Sequence, residues 1–391
     1  MISSAHRDII RATVPLLETG GEALTRHFYQ LMFDQYPQVK VLFNQTHQAR
    51  GDQPRALANA VLMYARNIDR LDSLGPLVTQ IVQKHVALQI LPEHYPIVGT
   101  CLLTSIRQVL GEQVATDAVL DAWAAAYAQL ADILIGAEEG EYARHAQAHG
   151  GWRGARRFRL GRRVAESEHI TSFYFVPVDG LPVLRALPGQ YIGLRVLLDA
   201  TGEARRNYSL SAPSDGREYR ISVKREAGGL VSGYLHDQLK VGDSLDLFPP
   251  AGGFVLQEGA GPVVLISAGV GITPMLPMLQ AALEAGRRVH FIHCARNAQA
   301  QAFGPWLQAL AHSHANQLFY YRVHGQGDQC DAAGRLDREL LRKWLPGGEG
   351  LDAYFLGPKA FMGDVKRWLG ELGVPAERCH WEFFGPAQAL E

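Results

Sequence analysis

Apolar residues recur at helical spacing through the first part of the chain. Leu24, Phe28, Leu31 and Met32 share one stripe, Val98, Leu102, Ile106 and Val109 a second, and Leu120, Trp123, Tyr127, Leu130 and Leu134 a third. That spacing predicts helices with one buried face. No alternating strand pattern occurs before about residue 150. The runs ITSFYFVPV, QYIGLRVLL, EYRISVKRE and DSLDLFPP then follow, short, rich in β-branched and aromatic residues, and separated by Gly, Pro and Asp. They predict a small antiparallel barrel or sandwich. In the last part, apolar strands (PVVLISAG, RVHFIHCAR, LFYYRVH, DAYFLGP, CHWEFFGP) alternate with helical runs (TPMLPMLQAALEAG, AFGPWLQALAHSH, RLDRELLRKWLP, KAFMGDVKRWLGELG). Such alternation gives a parallel sheet covered on both faces, with ligands at the carboxyl ends of its strands. The expected architecture is therefore multi-domain: all-α over residues 1–147, an antiparallel β-barrel over 152–258 and an α/β parallel-sheet domain over 259–391.

Composition sharpens the boundary. Residues 1–145 hold eight of the 40 glycines and the remainder hold 32, as expected when long helices give way to short elements joined by tight turns. The break falls in HAQAHGGWRGARRF, around Gly150 and Gly151. A chain of 391 residues suits two or three domains. With 38 Lys+Arg against 39 Asp+Glu, the net charge of −1 gives no global electrostatic case for a nucleic-acid partner. The six arginines between Trp152 and Arg163 read as a solvated first strand after a linker. No uninterrupted apolar stretch is long enough to span a membrane, and the first residues lack the apolar core of a secretory leader. Cys101, Cys294, Cys330 and Cys379 form no CxxC pair, which suits a reduced cytoplasm. His6, His27, His47 and His94 form no ligand-spaced cluster and read as surface or packing residues.

Three segments carry phosphate-cradle chemistry. PVVLISAG runs into GVGITP, where Gly269 and Gly271 would let the backbone approach a ligand, Thr273 would cap a helix and Pro274 would open it, presenting orphan N–H groups to a pyrophosphate. In R-N-Y-S, Arg206 could pair with a phosphate, Tyr208 stack on a flat ring and Ser209 bond a ring nitrogen. Gly229-Leu230-Val231-Ser232 opens a further helix with a hydroxyl at its mouth. Pro188-Gly189-Gln190-Tyr191 precedes a strand and offers another aromatic.

The order P-G-Q-Y, R-x-Y-S, G-x-x-S, G-x-G-x-T-P and L-G-P resembles the ferredoxin-reductase superfamily over residues from about 155 to 391. The resemblance implies FAD and NADH or NADPH as cofactors. It places Arg206 and Ser232 on the FAD diphosphate, Tyr191, Tyr208 and Ser209 near the flavin, and Gly269, Gly271 and Thr273 at the dinucleotide. The segment Trp381–Pro386 resembles the family's flavin-covering tail, in which Glu382 and Phe384 would flank the ring; a last buried strand is the plainer reading of the same residues. The family's usual Cys-Gly-Pro is here Leu356-Gly357-Pro358, so a polarizable thiol is replaced by a hydrocarbon. Arg296, after the second strand of the last domain, would meet a 2′-phosphate or lie near the ribose; NADH is the expected donor.

The helical part supplies an acceptor. His85 lies on an apolar helix in IVQKHVALQILPEHYPIVG, Phe43 follows a turn containing Pro37, Gln53 and Leu57 are i,i+4 neighbours, and Tyr29 lies beside Phe28 and Met32. These residues resemble a globin. Together with FNQTHQARGDQPRALANAVLMYARNID and the downstream reductase, they resemble bacterial flavohemoglobins over nearly the whole chain. That resemblance implies haem b ligated by His85, with Glu138 accepting from its other nitrogen and Tyr95 in the same network. Glu138 is preferred to Glu139 because its four-residue spacing to Tyr142 matches the family. Tyr29 and Gln53 would hydrogen-bond bound oxygen, and Leu57 and Phe43 would pack on the haem. The implied activity is nitric oxide dioxygenation, NO and O₂ to nitrate with electrons from NAD(P)H through FAD to haem, in a cytoplasmic monomer. An oxygen sensor, a general NAD(P)H-driven reductase and a lipid-accepting distal pocket are the competing readings.

Overall fold

The structure, a computed structural model, describes residues 2–43, 48, 51–198, 202–327, 329–346, 350–385 and 390. Two compact units are formed, one mainly by residues 1–147 and the other mainly by 148–198 and 207–384.

The first unit is helical. Helix α1 (Ser4–Gln35) opens where Ser3 Oγ accepts from His6 N at 3.1 Å, an N-cap. A 3₁₀ turn over Pro37–Leu42 leads to Phe43. Helices α2 (Asp52–Arg66), α3 (Gly75–Leu88), α4 (Tyr95–Leu110) and α5 (Asp117–Gln147) complete the unit. Pro76 and Pro96 stand in the first turns of α3 and α4, where a missing N–H costs nothing. The apolar stripes meet in one core that includes Phe28, Met32, Leu102, Ile106 and Trp123. Buried hydroxyls tie its helices: Thr25 Oγ1 donates to Pro54 O at 2.8 Å and Tyr64 OH to Ala126 O at 2.9 Å. By length and composition α5 could cross a membrane. It packs against α1, α3 and α4 and buries Glu138 and Tyr142. It runs through Gln147.

In the second unit, β1 (Arg156–Ala165), β2 (Ile170–Pro177), β3 (Tyr191–Leu198), β4 (Gly202–Ser209), β5 (Tyr219–Lys224) and β6 (Ser244–Leu247) form an antiparallel sheet in the order β4-β3-β6-β1-β2-β5. Leu210, just past β4, bridges Ile221 of β5, so the two edges meet and the sheet closes as a barrel. Phe158, Leu160, Phe173 and Phe175 alternate inward and are fully buried. The arginines of β1 are largely paired: Arg156 with Asp179 at 2.6 Å, Arg162 with Glu218 at 3.1 Å, and Arg163 with the His236 carbonyl at 3.0 Å. Helix α6 (Leu230–Asp237) follows β5.

The second sheet is parallel, with β7 (Val263–Ala268), β8 (Val289–Ala295), β9 (Leu318–His324), β10 (Ala332–Ala333), β11 (Asp352–Leu356) and β12 (Cys379–Trp381) in the order β10-β9-β8-β7-β11-β12. Helices α7 (Met275–Glu284), α8 (Gly304–Ser313), α9 (Arg338–Trp344) and α10 (Lys359–Glu371) alternate with its strands. Buried Arg287 holds Asp352 at 2.7 Å at the strands' amino ends.

Candidate functional site

His85 sits in the last turn of α3. The helix ends at Gln89, a non-glycine residue in the left-handed region with φ 59°. Its own side chain steadies that conformation by donating to Val86 O at 2.7 Å. Ile90 N donates to His85 O at 2.9 Å, and Tyr142 OH donates to Ile90 O at 2.7 Å. The backbone that carries the imidazole is thus fastened to α5. Glu138, 2% exposed, lies on α5 between Leu134 and Tyr142, one turn from each. Its Oε1 accepts from Tyr95 OH at 2.6 Å and lies 2.7 Å from His85 Nδ1. A carboxylate oxygen that already accepts makes Nδ1 the donor. Tyr127 OH donates to Tyr95 O at 2.6 Å. Tyr127 was legible in the sequence only as one member of an apolar stripe. Burial, then the bond to Glu138, pushes the Tyr95 phenol far above its usual range, so it stays a donor. Glu139, the next residue, is exposed. His94 is neither a ligand nor plain packing: burial lowers its pKa, and its Nδ1 accepts from Leu91 N at 2.9 Å as a cap.

On α1, Tyr29 is 7% exposed. It hydrogen-bonds Gln53 and Gln48, and burial raises its pKa well above the ordinary phenol value. Its ring meets Phe28 and Phe43 edge-on at 4.9 and 5.6 Å. Leu57 and Phe43 pack against the same core. The structure therefore gathers Tyr29, Gln53, Phe43 and Leu57 into one group and His85, Tyr95 and Glu138 into another. His47 lies outside the described residues.

The reductase motifs converge differently. Gly189 has φ +107°, and a Cβ there would stand 2.1 Å from Phe254 O and 2.3 Å from Met278 Cε. The P-G-Q-Y turn is thus pressed onto the backbone at Phe254 and onto the Met278 side chain of α7, the helix that follows GVGITP. Gln190 Oε1 accepts from Leu187 N at 2.9 Å, and Leu210 N donates to Gln190 O at 2.9 Å, which brings the end of R-N-Y-S beside P-G-Q-Y. The R-N-Y-S motif lies within β4. Arg206 donates to Arg205 O at 2.7 Å. Tyr208 is half-buried and Ser209 buried. The phenol of Tyr191 is buried and raised well above its usual pKa, first by burial and then by the charge of Glu382. Glu382 is half-buried just past β12 and Phe384 is 47% exposed. Ser232, 8% exposed, accepts from Glu226 N at 3.3 Å and lies 3.4 Å from Gly229 O.

Two expectations for GVGITP need correction. A 3₁₀ turn occupies Gly269–Ile272 and α7 begins at Met275 with Pro274 as its cap. Thr273 is therefore no N-cap: its Oγ1 donates back to Val270 O at 3.0 Å, and it already has helical backbone angles. Gly269 takes the left-handed conformation (φ +55°), but Gly271 serves packing, since a Cβ there would lie 2.3 Å from Leu356 O.

Comparison with known proteins places these parts. Residues 26–134 match the globin family model, 157–256 the oxidoreductase FAD-binding domain and 265–367 the oxidoreductase NAD-binding domain. The chain is 64% identical to a flavohemoprotein of Pseudomonas aeruginosa, with 100% of each chain covered. The chain belongs to the flavohemoprotein family. A flavohemoprotein of a Burkholderia species is 57% identical, again over 100% of both chains. The flavohemoglobin of Malassezia yamatoensis, solved with bound FAD and heme, matches 98% of this chain and 100% of its own at 25% identity and a TM-score of 0.88. The FAD/NAD-binding domain of a nitric oxide dioxygenase from Vibrio cholerae covers 60% of this chain and 100% of its own at 39% identity and a TM-score of 0.56. This flavohemoprotein is accordingly an oxidoreductase in which a helical globin is followed by an antiparallel FAD domain and a parallel-sheet NAD domain.

The residues present fit the family's cofactors. His85 offers an imidazole whose Nδ1 is held by a carboxylate, the arrangement of a haem or metal ligand. Among the described residues, Tyr191 OH and Asn207 Oδ1 are buried without a hydrogen-bond partner. Orphaned polar atoms of this kind are costly unless a ligand or water satisfies them, and both belong to the two motifs expected at the flavin.

Proposed function

We propose that this flavohemoprotein is a nitric oxide dioxygenase that converts NO and O₂ to nitrate at the expense of NAD(P)H. Conversion of one NO and one O₂ to nitrate consumes one electron, so each NAD(P)H supports two turnovers and releases a proton. When bound, haem supplies the iron at which the gases react, and FAD takes hydride from the dinucleotide and releases electrons singly.

The contact between His85 and Glu138 supports this reading most strongly. A buried carboxylate on Nδ1 makes the imidazole more electron-donating, which favours O₂ activation over storage. Tyr95 and Tyr127 hold that carboxylate and its helix in place. Tyr29, whose pKa burial raises well above the ordinary phenol value, would donate a hydrogen bond to oxygen, with Gln53 orienting the hydroxyl. Leu57 and Phe43 would pack on the haem and limit what enters. Arg206, Ser232, Tyr191, Tyr208 and Ser209 would hold FAD. The turn at Gly269 and Thr273 would hold the dinucleotide, with Arg296 deciding between NADH and NADPH. The loaded enzyme should consume NO only when NADH and O₂ are both present and yield nitrate mole for mole, and Tyr29→Phe should lower that rate about tenfold or more. A haem- and FAD-loaded protein that oxidises NADH with artificial acceptors yet leaves NO untouched would refute the assignment.

A further inference from the structure

Arg205 stands one residue ahead of Arg206 in β4 and has no part in the sites described above. The strand is divided by its packing: residues 202–206 group with the helices of the first unit, and 207–209 with the reductase. Arg205 and α3, the helix of His85, therefore lie in one unit. Arg205 Nη1 donates to Leu88 O at 2.7 Å, and its Nε donates to Glu203 Oε1 at 2.7 Å. Its side chain is only 14% exposed. His94 feels the same guanidinium: its pKa is lowered first by burial and further by Arg205.

Leu88 is the last residue of α3, in the same final turn as His85. The carbonyls of a last turn have no partner within their helix and carry its partial negative charge. Here Ile90 N donates to His85 O, Gln89 donates to Val86 O, and Arg205 donates to Leu88 O. The first two bonds come from the turn itself. The third comes from a strand 117 residues along the chain, and it is charge-assisted, so it is the stronger kind. Glu203 steadies the guanidinium and offsets its charge, so Arg205 supplies position more than field. The other end of the residue is engaged too: Arg206 Nη1 donates to Arg205 O at 2.7 Å. The side chain expected at the FAD diphosphate thus bears on the residue that holds the end of the His85 helix.

We propose that Arg205 is a positioning residue that ties the carboxyl end of the His85 helix to the strand carrying the flavin motif, and so sets the imidazole for electron delivery to haem. The electron delivery rests on the proposed function; the anchoring does not. In the full haem- and FAD-loaded chain, mixed anaerobically with NADH, Arg205→Leu should slow haem reduction about fivefold, less than the loss of a direct partner of a metal-bound histidine. The flavin reduction that precedes it should keep the parent rate. The iron–histidine stretching band should broaden, and the Gln89 and Ile90 amides should exchange faster with solvent. Arg205→Lys, which keeps one charged donor, should restore most of each. Full haem and flavin absorbance certifies the fold. Arg205→Gln, uncharged and shorter, should behave as the leucine variant does and serves where that variant does not load. A loaded Arg205→Leu or Arg205→Gln protein with either the parent rate of haem reduction or the parent exchange at Ile90 overturns the proposal, as does an Arg205→Lys protein no better than leucine. If the parent reduces its haem yet leaves NO untouched, the dioxygenase reading falls and the role of Arg205 stands.

Discussion

The two halves of this flavohemoprotein build their sites by opposite means. Around His85, polar side chains hold one another: Glu138 takes Tyr95 and His85, and Tyr127 takes the backbone of Tyr95. In the reductase half, the P-G-Q-Y turn closes on its neighbours because a side chain is missing at Gly189. A site of the first kind is pre-formed and should tolerate conservative changes with graded losses. One of the second kind depends on backbone contact and should fail abruptly. The sharpest break of the comparison is Gly189→Val. Its Cβ would overlap Phe254 O at 2.1 Å in a left-handed conformation (φ +107°), costing about 3–5 kcal/mol. The variant should lose FAD while keeping its haem spectrum, read as the flavin-to-haem ratio and by thermal unfolding. Retained flavin would show that the turn moves freely and that the contrast is mistaken.

Acid offers a second contrast, because each half buries a histidine the mechanism does not use. Burial pushes His145 down to about 4, beside Arg144 and Glu141, and His293 down to about 3, beside His324 and hydrogen-bonded to Ser267 at 2.9 Å. Both folded-state values lie below the unfolded value of about 6.5. Stability is therefore fully present above that pH, and falls as the unfolded chain takes up protons, until the folded pKa is reached. Each histidine should add about 1.4 kcal/mol per pH unit to that slope. Urea unfolding from pH 7 to 4.5 should show the decline, and His293→Gln should flatten it for the reductase half alone. A slope unchanged in that variant would mean that His293 takes its proton in the folded state too.

The graded response expected of the helical half is tested by Glu138→Gln. The amide oxygen can still accept from Tyr95, and only the negative charge on the imidazole's partner is removed. NO turnover should fall about tenfold, in the range seen for partners of metal-bound histidines, and the iron–histidine stretching frequency should drop while haem content holds. Equal turnover in the two proteins would remove the electronic role of Glu138 and leave it a purely structural one.

What could be read from the residues follows the same divide. The helical stripes give the helices, and the buried row of Leu134, Glu138 and Tyr142 on α5 carries the choice of Glu138 over Glu139 within its own periodicity. Glycine-rich turns say where the chain bends but not what bends against it. Gly271 looks like a ligand contact until Leu356, far along the chain, is seen beneath it. Thr273 looks like a cap because T-P usually opens a helix, yet the preceding 3₁₀ turn already draws it into helical angles. R-N-Y-S falls in a strand because the residues just past it, Leu210 and Ser211, close the barrel on β5, a pairing that local pattern does not encode.

The smallest effect is expected at Leu356, where the reductase superfamily's usual thiol is absent. Leu356 is 1% exposed at the carboxyl end of β11, and its carbonyl lies under Gly271. Leu356→Cys removes buried hydrocarbon and should lower stability by about 1–2 kcal/mol. The sulfur should nonetheless favour the aromatic rings that must stack for hydride transfer. Contacts of sulfur with aromatic rings contribute about 0.3–1.5 kcal/mol, so anaerobic flavin reduction by NADH in a stopped-flow cell should quicken about two- to tenfold. Stability and rate thus move in opposite directions, which separates a contact with the reacting rings from a general loosening of the sheet. Equal reduction rates would show that position 356 only fills space, and that hydride transfer is governed by the flavin and the turn at Gly269.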